Sequence, residues 1–224
     1  MNNLQKIFAG SRKVLIIFEC AGAPDLQESS LRIKTLLDAG ADIVELALPF
    51  SDPIADGAAA QAAYLAALNN GATTAKIIDM CRDIRKSFPE AGIVVSGYCN
   101  VFMQYGYEKI FSELAEIKAD AVRILDLPFE EYTEIAPYLE KYGLALAVSV
   151  GKNSTVERIR QLLTQPAALI YCDTPGKIAE IKILSDLPTV SFDNSADAMH
   201  TGERAVAVPR QALAEFVKQC RSEL

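Results

Sequence analysis

Eight short apolar runs, each followed by a stretch of helical periodicity, dictate most of what this chain can become. The runs are residues 14–20, 43 up to Pro49, 93–98, 121–125, 144–150, 167–172, 189–192 and 205–208. They are short, rich in Val, Ile and Leu, and apolar on both faces, which fits strands buried in a parallel sheet. Between them, residues 26–37, 58–68, 74–88, 107–117, 130–142, 154–164 and 177–184 carry helical patterns, with Thr73 or Thr74 and Ser154 as N-caps. A short helix at residues 4–8 opens the chain, a brief helical piece follows Ser195, and a last helix spans 210–221 with Pro209 at its first position. Strand–helix alternation repeated eight times predicts an α/β fold, a TIM (β/α)8 barrel, as one domain over residues 1–224. The competing architecture is an open doubly wound sheet. Its dinucleotide fingerprint, G-x-G-x-x-G after the first strand, is missing.

The second run carries a carboxylate, Glu45, in its middle. Burying an ionised carboxylate is unfavourable without a partner, and burial raises its pKa toward values useful for moving protons at neutral pH. Alternation sets Glu45 on the face of Ile43 and Ala47, where the small Ala47 leaves room. Asp56 follows on the loop leaving the same strand. Two carboxylates in unlike environments are a common way to obtain an acid and a base from one residue type. A TIM barrel keeps its chemistry at the C-terminal strand ends. That filter selects Phe18, Cys20, Glu45 with Asp56, Tyr98, Asn100, Asp126, Ser149, Tyr171, Asp173, Asp193 and Asn194.

Other chemistries are disfavoured. The formal charge is -7 with no long basic run, so nucleic acid is not an expected partner. Five scattered cysteines without C-x-x-C spacing read as reduced core residues of a cytoplasmic protein. No run is long enough to span a membrane, and the first residues lack a signal-peptide core. His200 is the single histidine and is placed on a short surface helix, so neither a metal site nor a Ser-His-Asp arrangement is expected.

The segment Glu45-Leu-Ala-Leu-Pro-Phe-Ser-Asp-Pro-Ile-Ala-Asp56-Gly57, with Gln61 one turn on, resembles the signature of tryptophan synthase α subunits. Gly40-Ala-Asp42 before it, Tyr98-Cys-Asn100 and Asp126-Leu-Pro128 fit the same family, and the similarity covers about the first two thirds of the chain. The resemblance implies a cofactor-free lyase on a TIM barrel. It would cleave indole-3-glycerol phosphate, or a related indole substrate, to indole and an aldehyde by a retro-aldol step. Glu45 would protonate the ring carbon and take the side-chain hydroxyl proton. Asp56 would hold the indole N–H, Tyr171 would support Glu45, and Phe18 would line the indole pocket. The expected substrate-binding set is completed by Tyr98, Asn100, Ser149, Asn194 and Arg210. A tryptophan synthase β subunit is the implied partner.

The last third departs from the family, which grips the substrate phosphate with glycine-rich backbone after strands six, seven and eight. Here the sixth run enters a shortened loop, residues 172–177; the seventh ends in Asp193-Asn194; and the eighth is read as ending in Val208-Pro209-Arg210. An aspartate repels a phosphate, and a proline has no N–H to donate. Losing two or three charged hydrogen bonds weakens binding by roughly 5 kcal/mol, a factor of thousands. Lys177 or Arg210 would have to substitute. Two further readings stay open: a barrel that keeps only a ligand- or β-subunit-binding role, and an aldolase or lyase for a non-phosphorylated substrate.

Overall fold

The computed structural model describes residues 2–192, 196–202 and 204–224. The strands are β1 (Val14–Cys20), β2 (Ile43–Ala47), β3 (Gly92–Gly97), β4 (Ala121–Ile124), β5 (Leu146–Val150), β6 (Ala167–Cys172), β7 (Thr189–Ser191) and β8 (Ala198–His200). Helices α1 (Asn3–Phe8), α2 (Leu26–Asp38), α3 (Ala58–Asn69), α4 (Thr74–Ser87), α5 (Cys99–Tyr105) and α6 (Tyr107–Ile117) occupy the first half. The second half holds α7 (Ala136–Tyr142), α8 (Val156–Leu162), α9 (Ile178–Leu184) and α10 (Leu213–Glu223). Each strand pairs with the next and β8 returns to β1, giving a closed parallel barrel. This is the TIM barrel that the alternation of strands and helices predicts.

Strand alternation sorts the apolar residues into two cores. Val14, Ile16, Ile43, Val94, Ala121, Ala147, Leu169, Val190 and Ala198 fill the barrel, and Leu4 of α1 plugs its N-terminal end. The opposite strand faces pack under the helices, as Val44, Val95 and Val122 do with Ile77, Ile84, Phe111 and Leu114. The hydrogen-bonded ladders are uneven. β1 and β2 share five register pairs, whereas β7 and β8 share two and β4 and β5 share one. The Phe18 N–H also donates to Thr201 Oγ1 (3.1 Å), a side-chain tie across the β1–β8 join.

Local chemistry moves several boundaries. The helix expected over 130–142 is a 3-10 segment, Phe129–Glu134, followed by α7 with Pro137 in its first turn. There the missing proline N–H is not needed. The cap of α8 is Thr155 rather than Ser154, its hydroxyl accepting from the Arg158 N–H. The last helix begins with a 3-10 turn at Arg210–Ala212 and becomes α-helical at Leu213.

The largest correction concerns the eighth strand. It is Ala198–His200, not residues 205–208, and it replaces the helical piece expected after Ser195. Residues 205–208 form turns tied down by Arg32 of α2, which donates to the carbonyls of Ala205 (2.7 Å) and Val208 (2.5 Å) and pairs with the buried Glu19. Val206, Ala207 and Val208 look like a strand by composition alone, but the barrel is already closed before they are reached.

Gly92 opens β3 on the inner face, and a Cβ there would lie 2.6 Å from Ile43 Cγ1. Gly92→Ala is expected to destabilise the barrel by about 1–3 kcal/mol through overpacking. Urea unfolding followed by circular dichroism measures the loss.

Candidate active site

Glu45 lies at the centre of β2 with its side chain fully buried inside the barrel. Three neighbouring groups converge on its carboxylate from other strands. Arg123 of β4 donates through Nη1 to Oε1 (3.1 Å), the Tyr171 hydroxyl of β6 donates to Oε2 (2.5 Å), and His200 Nε2 of β8 lies 3.0 Å from the same oxygen. The Gly202 N–H donates to His200 Nδ1 (3.0 Å). Nδ1 is therefore an acceptor, the ring proton sits on Nε2, and His200 donates to Glu45.

Aromatic packing holds the cluster rigid. Phe18, Tyr171 and Phe192 each meet the His200 ring edge-on, with centroids 5.9, 5.3 and 5.4 Å away. The Arg123 guanidinium lies 4.1 Å from the Tyr171 ring centroid, and its Nε donates to Ser149 Oγ (3.4 Å).

This geometry overturns the expected raised pKa of Glu45. Burial alone would push the carboxyl up, but the Arg123 charge, His200 and the Tyr171 hydroxyl together hold it well below the usual carboxylate range. Burial and the adjacent Glu45 charge push the Tyr171 hydroxyl well above its ordinary value, so it remains a donor. Glu45 rests as an ionised, fully hydrogen-bonded carboxylate.

Asp56, half-buried on the loop after β2, accepts from the Tyr98 hydroxyl (2.6 Å). That hydroxyl in turn accepts from the Ala55 N–H (2.9 Å), and the Tyr98 ring packs against Phe50 at 5.1 Å. Tyr98, at the turn from β3 into α5, thus fixes the Asp56 loop. Tyr64 of α3 is buried beneath the same region. Burial first, then the charges of Cys20, Asp56, Tyr98 and Glu45, raise its hydroxyl pKa, and its oxygen has no hydrogen-bond partner among the described residues.

Not every expected residue joins this cluster. Ser149 does, through Arg123, and is exposed at the mouth. Asn100 is exposed in the first turn of α5, where with Pro49, Phe50 and Gln104 it lines an outer groove of about 460 Å³. Arg210 is engaged by Glu28 of α2 (2.9 Å), and Lys177 by Glu180 (3.0 Å), so both cations expected to replace the phosphate clamp already have carboxylate partners. Asp193 and Asn194 lie outside the described residues. Because the eighth strand ends at His200, it is followed by Thr201-Gly202 and not by a proline. A glycine does follow that strand, with φ 55°, but its N–H is directed at His200.

Arg123 and His200 are the residues that sequence reasoning missed. An eighth strand at 205–208 lies seven residues past the true one and leaves His200 on a surface helix; it is a buried residue on β8. Arg123 did leave a signal. It alternates with Ala121 in an otherwise apolar run, and a buried glutamate on another strand requires a cation. Among the described residues, no group of His, Cys, Asp and Glu side chains is arranged to hold a metal ion, and no helix is long and apolar enough to cross a membrane.

A closed parallel barrel with one carboxylate inside its mouth and a second on the adjoining loop has the layout of a TIM-barrel enzyme that moves protons. Comparison with known proteins narrows this. Residues 4–176 match the family model described as tryptophan synthase alpha chain. The tryptophan synthase alpha chain of Flavobacterium johnsoniae is 37% identical over 172 residues, covering 76% of this chain and 68% of that one. The alpha chain of Marinobacter nauticus is 32% identical over 198 residues, covering 88% and 71%. The crystal structure of tryptophan synthase subunit alpha from Legionella pneumophila superposes with a TM-score of 0.91 at 25% identity, covering 100% of this chain and 98% of that one. The chain belongs to the tryptophan synthase alpha-chain family and is a carbon–carbon lyase of that type. The family match ends at residue 176, just before the segment that carries His200.

Breaking a buried ion pair by removing one partner costs about 3–5 kcal/mol. Arg123→Met is expected to lose that much stability at pH 7, where Glu45 is ionised. A carboxylate with a depressed folded-state pKa stabilises the native protein above its unfolded pKa and loses that contribution as pH falls. The difference between wild type and variant should therefore shrink as pH falls, because the variant's Glu45, buried without its cation, becomes neutral at a pH where the wild-type carboxyl is still ionised. Thermal melts from pH 3.5 to 8 test this; a gap independent of pH would refute the pairing.

Proposed function

We propose that this chain cleaves indole-3-glycerol phosphate, or a closely related indole substrate, to indole and an aldehyde, with Glu45 as proton shuttle and Asp56 at the indole nitrogen. The observation that carries the reading is the burial of Glu45 inside the barrel mouth, bonded to Tyr171, below an Asp56 loop fixed by Tyr98. In a retro-aldol cleavage the ring carbon bearing the side chain is first protonated, which leaves positive charge on the ring nitrogen. The Asp56 carboxylate is suited to stabilise that charge. A carboxylate then takes the proton of the side-chain hydroxyl. The carbonyl forms, the carbon–carbon bond breaks, and its electrons return to the ring as neutral indole.

Glu45 serves both steps if it carries a proton in the first and is ionised in the second. The resting cluster holds it in the second form. Substrate binding must therefore loosen the Arg123 pair before ring protonation, whereas the hydroxyl step uses Glu45 in the state seen at rest. Tyr171 and His200 act as positioning residues that orient the carboxylate. Phe18, with Phe192 half-exposed at the rim, supplies apolar surface for the ring.

A tryptophan synthase β subunit is the proposed protein partner. Solved relatives include tryptophan synthase from Mycobacterium tuberculosis, similar in fold to this chain with a TM-score of 0.86 and 25% identity. Exposed Ile54, Leu65 and Met103 leave apolar surface near the Asp56 loop and α5 for such a contact.

Indole release from indole-3-glycerol phosphate, measured with and without a β subunit, tests the reading. Glu45→Gln should lower kcat by about 100-fold or more, the range lost with a general acid–base. Asp56→Asn should also lower kcat, with a smaller effect on KM. An unchanged rate in Glu45→Gln, or no indole from wild type under either condition, would overturn it.

A further inference from the structure

The lyase reading leaves Arg123 without a task other than restraining Glu45. Its guanidinium is held on three sides, by Glu45, by Ser149 and by the Tyr171 ring. Nη2 has no hydrogen-bond partner among the described residues. The side chain remains 14% exposed while that of Glu45 has no exposure, so Arg123 is the outer member of the pair. Two hydroxyls flank it on the neighbouring strands. Ser149 of β5 is exposed at the mouth. Ser96 of β3 is directly across the register from Arg123 and shares the inner face with Val94. Its Oγ is fully buried, with no hydrogen-bond partner among the described residues.

A guanidinium edge beside an exposed hydroxyl is a pair of groups that recognises an oxyanion. We propose that Arg123 and Ser149 form an oxyanion-binding subsite on the β4–β5 side of the barrel mouth, which selects substrates carrying a carboxylate or phosphate there; Ser96, with no exposure, lies behind it. This subsite lies across the barrel from the loops after β7 and β8. Its donors are pre-positioned: stacking on Tyr171 fixes the guanidinium plane, and β5 fixes the Ser149 hydroxyl beside it. An anion seated there competes with Glu45 for the same guanidinium. The proposal rests on the lyase reading for the rest of the ligand, an indole ring in the pocket beside Phe18.

Three indole probes separate the possibilities: 3-(indol-3-yl)propanoate, the same chain ending in a phosphate ester, and the neutral 3-(indol-3-yl)propan-1-ol. The chain contains no tryptophan, so binding is read directly from the probe's indole fluorescence. Wild type should bind at least one anionic probe about 10-fold or more tighter than the alcohol, roughly the effect of one charged hydrogen bond. The tighter of the two identifies the anion.

Arg123→Met should equalise the three affinities, and Arg123→Lys should reduce the preference by removing the fork. Ser149→Ala, at an exposed position, should weaken the anions a few-fold and leave the alcohol unchanged. Those last two variants keep the test decisive if Arg123→Met fails to fold. Equal binding of all three probes by wild type that still releases indole would overturn the subsite and leave the lyase reading intact. Anion preference that survives in Arg123→Met, or is undiminished in Arg123→Lys, would overturn it as well. Wild type that neither binds any probe nor releases indole would remove both readings.

Discussion

The ion pair between Glu45 and Arg123 is the constraint around which the barrel interior is arranged. A carboxylate with no solvent exposure requires compensating donors, and the barrel supplies them from three other strands. Each donor is itself held: Arg123 by Ser149 and Tyr171, Tyr171 by packing against His200, and His200 by the Gly202 amide. The polar centre is satisfied by strands far apart in sequence, so it can form only when the barrel closes. The same arrangement defines the site's chemistry at rest, a basic carboxylate with its neighbours acting as donors.

Much of the fold was legible because its signals are local. The strand at Val14–Cys20 and the helix at Tyr107–Ile117 coincide with their apolar patterns. The chain was harder to read where tertiary contacts override pattern. β8 has three residues, and the nearby apolar segment 205–208 is the more strand-like of the two by composition. Arg32 and Glu19, separated from it by the whole barrel in sequence, hold that segment in turns instead. Misplacing this one strand also concealed His200.

The candidate site was legible in part for the same reason. Glu45 and Asp56 share one short stretch, and a carboxylate inside a buried run is conspicuous. What the sequence does not reveal is which side chains converge on it. The opposite pKa direction of Glu45 follows from Arg123 and His200, 78 and 155 residues away. A buried acid read alone suggests a raised pKa; read with its partners it is an ion pair. The match to the family stops at residue 176.

A closed barrel is a hoop, and a hoop yields at its sparsest joins. Here those joins are β4 to β5, with one register pair, and β6 to β7 and β7 to β8, with two each. All three border the polar cluster: Arg123 and Ser149 bridge the first across their side chains, Tyr171 stands at the second, and His200 ends the strand at the third. Backbone breathing is therefore channelled to the walls of the site while the five-pair β1–β2 join beside Glu45 stays fixed. The carboxylate rides on the stiff arc of the hoop and its partners on the compliant ones. The freedom needed to exchange partners is built into the strand lengths.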